Sequence, residues 1–226
     1  MKRFSIITAI SLLAAASVGC AEESPDVKIG LIVSLSGSGS PYGNSIQRGV
    51  DLAVKEINAD GGVQVFESGQ KPITLISRDV ESDPGVGIQA AREIIDGGVV
   101  AAIGSDISDV TLAIAPLFQE SSVVLMSPSS SAPKLSDAGD FIYRNYPSDD
   151  LEALNTADHI FNKSGLREAA VIAQQSEFGL GQKTAFIQRF RTLGGREIGQ
   201  ESYPTTVTGE DYTRIAQSIE ATDPAA

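Results

Sequence analysis

Apolar segments of two different periods alternate along this chain, and the alternation limits the folds open to it. Residues 27–35 form a continuous apolar run, as expected for a strand buried on both faces of a parallel sheet. The next apolar residues recur at helical spacing from Ile46 to Ile57, and Gly61-Gly62 ends that segment. Strands that alternate with helices of this length form βαβ units. We therefore predict an α/β fold with parallel sheets and right-handed crossovers.

The same alternation predicts the remaining elements. Further strands or extended segments are expected over residues 72–79, 99–104, 123–126, 141–143, 169–173 and 196–203. Helices are expected to begin at the N-caps Asn44, Asp83 and Ser108, and to span residues 151–162, 181–193 and 211–221. A polar segment, residues 145–150, separates two series of strands and helices.

The composition excludes several classes of function. The 226 residues include 17 Lys and Arg against 29 Asp and Glu, for a net charge of −12. Nucleic acid is therefore an improbable partner, because phosphate binding depends on clustered basic side chains. The one cysteine, Cys20, cannot form an intrachain disulfide or a thiolate metal cluster, and the one histidine, His159, is expected on the polar face of its helix. We predict no catalytic residues, no metal site and no cofactor, and so no enzyme.

The first residues have the pattern of an export signal. Lys2 and Arg3 precede an uncharged stretch of apolar and small residues that extends to Gly19. This stretch is shorter than the roughly 20 residues that span a membrane. Residues 1–19 are therefore predicted to be a signal peptide.

The end of this segment predicts a lipid anchor. Ser17-Val18-Gly19-Cys20 resembles the bacterial lipobox, in which the cysteine is lipidated on sulfur and becomes the new N-terminus. This implies a lipid on Cys20 and a short tether over residues 20–26. Removal of residues 1–19 would take the net charge from −12 to −14. An ordinary cut after residues 14–16 and a free buried cysteine are the alternatives.

Two motifs match the sequence patterns of known ligand-binding loops only in part. Residues 37–43 follow the first strand like a dinucleotide loop, but the spacing is G-x-G-x-x-x-G and Pro41 lacks a backbone donor. The acidic residue Asp79 lies well beyond the roughly 20 residues that the fingerprint expects. Residues 79–83 begin like a calcium loop, but Ala90 stands at the twelfth position. We interpret them as a flexible turn and an acidic turn before a capped helix.

A serine-rich loop is the better candidate for a binding site. Residues 127–133 leave the carboxyl end of the fourth predicted strand, where ligands bind in open parallel sheets. Three consecutive serines offer hydroxyl and backbone N–H groups that can surround a carboxylate without a basic side chain. Ser108, at a helix start after the third strand, adds a hydroxyl and a favourable dipole. Because both loops fall on the same sheet edge, we favour a site there over a solvated Ser/Pro loop.

Several stretches carry a family resemblance from Lys28 onward. They are I-G-L-I-V-S-L-S-G, Y-G at residues 42–43, G-V-D-L-A-V-K-E-I-N-A-D-G-G, D-V-E-S-D-P, A-A-I-G-S, S-P-S-S-S-A-P-K-L and E-F-G-L-G-Q. In this order and spacing they resemble the type I periplasmic solute-binding proteins, in the Leu/Ile/Val- and amide-binding branch that feeds ABC importers. The resemblance implies two Rossmann-like lobes joined by a hinge, a ligand in the cleft, and a closed form that meets a membrane permease.

The resemblance also implies roles for individual residues. Ser108 matches a serine that hydrogen-bonds the carboxylate of the ligand. Three further serines match a loop that contacts both the carboxylate and the ammonium group: Ser129, Ser130 and Ser131. Phe178 takes the place of an aromatic residue that closes over the ligand from the second lobe, and Tyr42 matches an aromatic at the cleft mouth. The acidic partner of the ammonium group would lie after Ala226.

These observations predict an exported solute-binding component of an ABC importer for amino acids, of the branched-chain type, or related amides. Its partners would be a small-molecule ligand and a membrane permease, and it would be lipid-anchored in the periplasm or at the cell surface. Residues 27–145 would form the N-terminal ligand-binding lobe, and residues 146–226 the hinge and first part of a truncated second lobe. Residues 21–226 alone are then expected to bind amino acids weakly or not at all. A sensory or regulatory lipoprotein of the same fold, and an exported nucleotide enzyme, are the alternatives.

Overall fold

The computed structural model describes residues 26–66 and 68–222. The predicted signal peptide, Cys20, the tether up to residue 25 and residues 223–226 lie outside the described residues. None of the helices described is both long enough and apolar enough to cross a membrane.

Strands and helices alternate through both series. The first series contains β1 (Val27–Val33), α1 (Ser40–Ala59), β2 (Val63–Val65), β3 (Gly69–Lys71), β4 (Ile73–Asp79), α2 (Pro84–Asp96), β5 (Ala101–Gly104), α3 (Ser108–Glu120), β6 (Val124–Ser127), a 3₁₀ turn (Pro133–Asp137) and β7 (Ile142–Arg144). The second contains α4 (Asp149–Asp158), a π-helical turn (His159–Lys163), β8 (Glu168–Gln174), α5 (Glu177–Leu193), β9 (Arg196–Tyr203) and α6 (Gly209–Glu220).

The two series form separate parallel sheets, which confirms the predicted α/β class. The first sheet has five strands in the order β4-β1-β5-β6-β7, and every neighbouring pair is parallel. In the second, β8 pairs with β9, also in parallel. The short antiparallel hairpin of β2 and β3, between α1 and β4, was not predicted.

The core of the first sheet lies on the face covered by α2 and α3. Ala102, Leu125 and Ile142 share a row on this face and are buried against Ile94 and Phe118. The helix α2 approaches this row closely because one of its positions is a glycine: a Cβ on Gly30 would lie 2.5 Å from Ile94 Cγ2.

The opposite face of the sheet is only partly covered. Leu31 is buried on the side of α1, whereas two residues further along its row, Met126 of β6 and Tyr143 of β7, are 39% and 55% exposed. Helices therefore cover the sheet unevenly, and the best-packed part of the molecule lies between the sheet and the α2–α3 pair.

Two predicted N-caps are wrong. The helix α1 begins at Ser40, with Gly39 as N-cap, because Pro41 occupies the first turn, where its missing N–H is not needed. Asn44 lies inside the helix and its amide donates to the carbonyls of Leu35 and Ser40 at 3.1 and 2.7 Å.

The cap of α3 is Ile107 and not Ser108, which is the first helical residue. Its hydroxyl is engaged with the loop after β6 and not with its own helix. The cap predicted at Asp83 is confirmed, since its carboxylate accepts from the Val86 N–H at 2.9 Å. The helix α5 starts four residues before the prediction, because the Ser176 hydroxyl accepts from the Gly179 N–H and caps it there.

Candidate ligand-binding site

Hydroxyl groups fix the loop that follows β6. Ser127 and Ser130 both donate to the carbonyl of Ser105, at 2.6 and 3.0 Å. The Ser130 hydroxyl also lies 2.7 Å from the Thr111 hydroxyl of α3, and the Ser130 N–H donates to Ser127 Oγ. Ser130 is 1% exposed, so these bonds replace its contacts with water. Its side chain therefore shapes the loop from inside.

Ser108 joins the start of α3 to this loop. Its buried hydroxyl oxygen accepts from the backbone N–H groups of Ser131 and Ala132, at 3.3 and 3.2 Å. A hydroxyl has two acceptor positions and one proton. With both acceptor positions used, the Ser108 proton is available for donation to another oxygen, at the positive end of a helix.

Asp106 ties three strand ends together through its carboxylate and its backbone carbonyl. Its Oδ1 accepts from the Ser34 N–H at 2.7 Å, and its backbone carbonyl accepts from the Ser129 hydroxyl at 3.0 Å. Asp106 is 8% exposed, and its Oδ2 and the buried Ser34 Oγ have no partner among the described residues. The loops after β1, β5 and β6 are thus held at one edge of the sheet.

A second buried acid, Asp149, lies beside Ser131. It is the first residue of α4, its N–H donates to the Ser131 carbonyl at 2.9 Å, and its Oδ1 accepts from Gln182 of α5 at 3.2 Å. Asp149 is fully buried, and its Oδ2 has no partner among the described residues.

Burial raises the pKa of the Asp149 carboxyl. The side chains of Ser131 and Gln182 act in the opposite direction, and the charges of Glu152 and Arg144 add smaller effects of opposite sign. The ionised form of Asp149 is therefore short of partners, and a cationic group at Oδ2 would stabilise it.

Arg144 supports the loop from the end of β7. Its Nη1 donates to the carbonyls of Ser131 and Ala132 at 3.2 and 2.8 Å, and its Nη2 donates to Ser136 Oγ at 2.7 Å. Arg144 thereby holds the carbonyls of Ser131 and Ala132, while the N–H groups of the same two residues donate to the Ser108 hydroxyl.

The two predicted aromatic residues lie outside this hydrogen-bond network. Phe178, in the first turn of α5, is 41% exposed and lines a cavity of about 380 Å³ with Gln174, Gln182 and Tyr203. Gln182 also binds Asp149, so it connects this cavity to the serine loop. Tyr42 is 68% exposed in the first turn of α1. The structure thus brings the four serines together, and the roles of Phe178 and Tyr42 stay predictions.

Comparison with known proteins identifies the family. A family model described as a periplasmic binding protein matches residues 26–226. The chain belongs to the periplasmic binding protein family. This confirms the resemblance to the type I branch found in the sequence.

Individual relatives agree with this assignment. The chain is 25% identical over 213 residues to a Leu/Ile/Val-binding protein homolog 3 from Brucella melitensis, covering 93% of this chain and 56% of the relative. It is 26% identical over 197 residues to the Leu/Ile/Val-binding protein BraC3 of Rhizobium johnstonii, covering 87% and 52%. The chain thus spans about half the length of the curated relatives it matches.

Solved structures share the fold. A leucine-binding protein LivK from Thermotoga maritima superposes with a TM-score of 0.76 at 24% identity, covering 88% of this chain and 54% of that one. A solute-binding protein of an ABC transporter from Rhodopseudomonas palustris BisB5, solved with 3,4-dihydroxybenzoic acid, has a TM-score of 0.77 at 22% identity, covering 88% and 52%. These likenesses support the α/β fold with parallel sheets.

Both buried acids of this periplasmic binding protein lie at positions where the sequence predicted no site residue. Asp149 stands in the polar segment that separates the two series, to which no binding role was assigned. Asp106 stands between β5 and α3 and has the composition of a turn. The single local signal for Asp149 was its place in the first turn of a helix. No metal-holding cluster of His, Cys, Asp or Glu occurs within residues 26–66 and 68–222.

Proposed function

We propose that this periplasmic binding protein is the solute-binding component of an ABC importer and that it binds amino acids, with branched-chain side chains favoured. The observation that carries the proposal is the juxtaposition of Ser108, Ser131 and Asp149. A hydroxyl at the positive end of α3 suits a carboxylate, and a buried acid with an unpartnered oxygen suits an ammonium group. An amino acid carries both groups on one carbon atom.

The overall charge supports recognition by local groups. A chain of net charge −12 repels a carboxylate at long range, so nearby donors must supply the attraction. The resemblance implied an acidic partner after Ala226, but Asp149 offers one within the described residues, and the ammonium group would supply a partner for its Oδ2. The branched-chain preference is supported by the names of the curated relatives, which are Leu/Ile/Val-binding proteins.

Aromatic acids are the competing ligand class. Solute-binding proteins from Rhodopseudomonas palustris were solved with 3,4-dihydroxybenzoic acid, p-hydroxybenzoic acid and benzoate. These anions carry no ammonium group, so their binding beside Asp149 would leave its carboxylate buried without a cation. The site therefore favours a zwitterion over an aromatic acid.

Titration with matched ligands tests the proposal. L-Leucine, its amide and 4-methylpentanoate share a side chain and differ in the carboxylate or the ammonium group. We expect protein NMR or calorimetry to show leucine as the tightest ligand. Loss of either the carboxylate or the ammonium group should weaken binding about tenfold or more, which corresponds to about 1.4 kcal/mol. Equal binding of leucine and 4-methylpentanoate, or tighter binding of 3,4-dihydroxybenzoate, would contradict the amino-acid assignment.

We also propose that residues 27–145 act as the N-terminal lobe and that residues 146–226 supply the hinge and the first part of a second lobe. The separate sheets of the two series support this division.

The permease partner is tested by uptake: deletion of the gene should abolish import of radiolabelled leucine. A sensory or regulatory protein of the same fold would leave uptake unchanged.

The proposal extends to the location of the protein. Export is supported by the leader pattern and by the family, and a lipid on Cys20 is supported by the resemblance of residues 17–20 to a lipobox. Labelling with a radioactive fatty acid should mark the wild-type protein and not the Cys20→Ser variant. Equal labelling of both would overturn the anchor.

A further inference from the structure

Polar contacts hold the start of α5 against the first series. Both carboxylate oxygens of Asp109, in the first turn of α3, accept from the Glu177 N–H, at 3.2 and 3.3 Å. The Glu177 side chain is in turn paired with Lys134, whose Nζ lies 2.7 Å from Oε2. We call Asp109, Lys134 and Glu177 the latch.

The latch completes the first turn of α5. The first N–H groups of a helix have no partner within it, and a negative charge near them is favourable. Ser176 accepts from the Gly179 N–H, and Asp109 of the other series satisfies the Glu177 N–H. If the two series moved apart, this N–H and this carboxylate would both return to solvent.

Beside the latch, the backbone of Gly181 lies close to the ring of Pro133. A Cβ on Gly181 would lie 2.7 Å from Pro133 Cδ, next to Lys134. The first two turns of α5 thus meet the 3₁₀ turn closely. Domains of one chain move relative to each other unless their interface is large and hydrophobic, and the latch contacts are polar.

We propose that Asp109 and Lys134 latch the start of α5 in a closed arrangement of the two series and so slow the release of the bound solute. This inference rests on the proposed function. Ser108 and Asp109 are successive residues of α3: the first faces the serine loop and the second binds α5. Occupation of the serine site and closure are therefore coupled through one helical turn, and Asp109 acts as a positioning residue.

A distance measurement without solute tests the latch independently of the binding assignment. In a Cys20→Ser background, spin labels at the exposed positions Gln89 of α2 and Gln188 of α5 report the separation of the two series. Asp109→Ala and Lys134→Ala should each broaden the distance distribution and add a more separated population. The exposed Asp140→Ala is the control and should keep the wild-type distribution. A wild-type distribution in both latch variants, or the same change in the control, would overturn the proposal.

Kinetics supply the second readout. Loss of a hydrogen bond to a charged group should raise the leucine dissociation rate of Asp109→Ala about tenfold with little change in the association rate. Lys134→Ala should have a smaller effect, because the Lys134 side chain is largely exposed. Unchanged dissociation rates in both variants would also overturn the latch. If the wild-type protein binds no amino acid, the proposed function fails, and the distance measurement alone decides the latch.

Discussion

Asp79, at the end of β4, accepts hydrogen bonds from three residues. They come from the N–H groups of Leu35, Ser36 and Glu81 and from the Ser36 hydroxyl, at 2.7–3.3 Å. Burial alone would raise the pKa of Asp79, but these bonds together hold it below its ordinary value. Because the folded state favours the charged form, this stabilisation is complete above the ordinary Asp pKa of about 3.9 and disappears as the pH falls through the lower folded value.

Replacement of Asp79 tests that account. Asp79→Asn should lower the free energy of unfolding near pH 7 by about 1–3 kcal/mol, the usual effect of a lost charged partner. Below about pH 4 the difference from the wild type should shrink, because the wild-type carboxylate is then protonated. Urea unfolding between pH 7 and pH 3 measures both quantities, with the exposed Asp140→Asn as control. A difference that stays constant over this range would contradict the assignment.

Ser108 combines a structural and a binding role. Ser108→Ala removes the acceptor of two backbone N–H groups, so it should lower the free energy of unfolding by about 1–3 kcal/mol. If the hydroxyl also donates to a carboxylate, the variant should bind leucine more weakly and leucinamide almost unchanged. Calorimetry with both ligands separates the two effects. Equal weakening of both ligands would leave Ser108 a purely structural role.

At the scale of elements, α1 approaches β1 through a glycine. A Cβ on Gly43 would lie 1.9 Å from the Ser34 carbonyl oxygen, whereas a Cβ on Gly49 of the same helix would meet nothing within 4 Å. Gly43→Ala should therefore destabilise the protein by about 1–3 kcal/mol through overpacking. Gly49→Ala should stabilise it by about 0.5–1 kcal/mol through helix propensity. Thermal unfolding of the pair checks the prediction, and stabilisation by both would contradict this packing.

The long elements could be predicted because their apolar periods are strong. The strands β1, β4 and β8 and the helices α2 and α6 lie within a few residues of their predicted bounds. The start of α1 could not be predicted, since residues 39–41 have the composition of a loop. The N-cap Gly39 is held by its N–H bond to Ser82 Oγ in the loop after β4. The β2–β3 hairpin is too short for a periodic signal.

At the scale of the whole molecule, the order of strands predicted which loops meet. Carboxyl ends of parallel strands share an edge, so the grouping of Ser108 with Ser129, Ser130 and Ser131 followed from the alternation of elements. The burial of Asp149 did not follow, because it depends on how α4 and α5 of the second series pack beside that edge. Local patterns do not carry such long-range contacts.

The central claim is that the serine loop and Asp149 together recognise an amino acid, and Asp149→Asn tests it most directly. Asp149 has a raised folded pKa, so its charge opposes folding near pH 7, and that penalty disappears below the ordinary Asp pKa of about 3.9. The variant without ligand should therefore be more stable near pH 7, by about 1–3 kcal/mol.

The measurement is the dissociation constant of L-leucine, set against that of 4-methylpentanoate, in the wild type, in Asp149→Asn and in the exposed neighbour control Asp150→Asn. We predict that Asp149→Asn weakens leucine by about 2–5 kcal/mol, as when one partner of a buried charge pair is lost, and does not weaken 4-methylpentanoate, which loses a repelling charge. The control should bind both ligands as the wild type does. Leucine binding of wild-type strength in Asp149→Asn would contradict the claim.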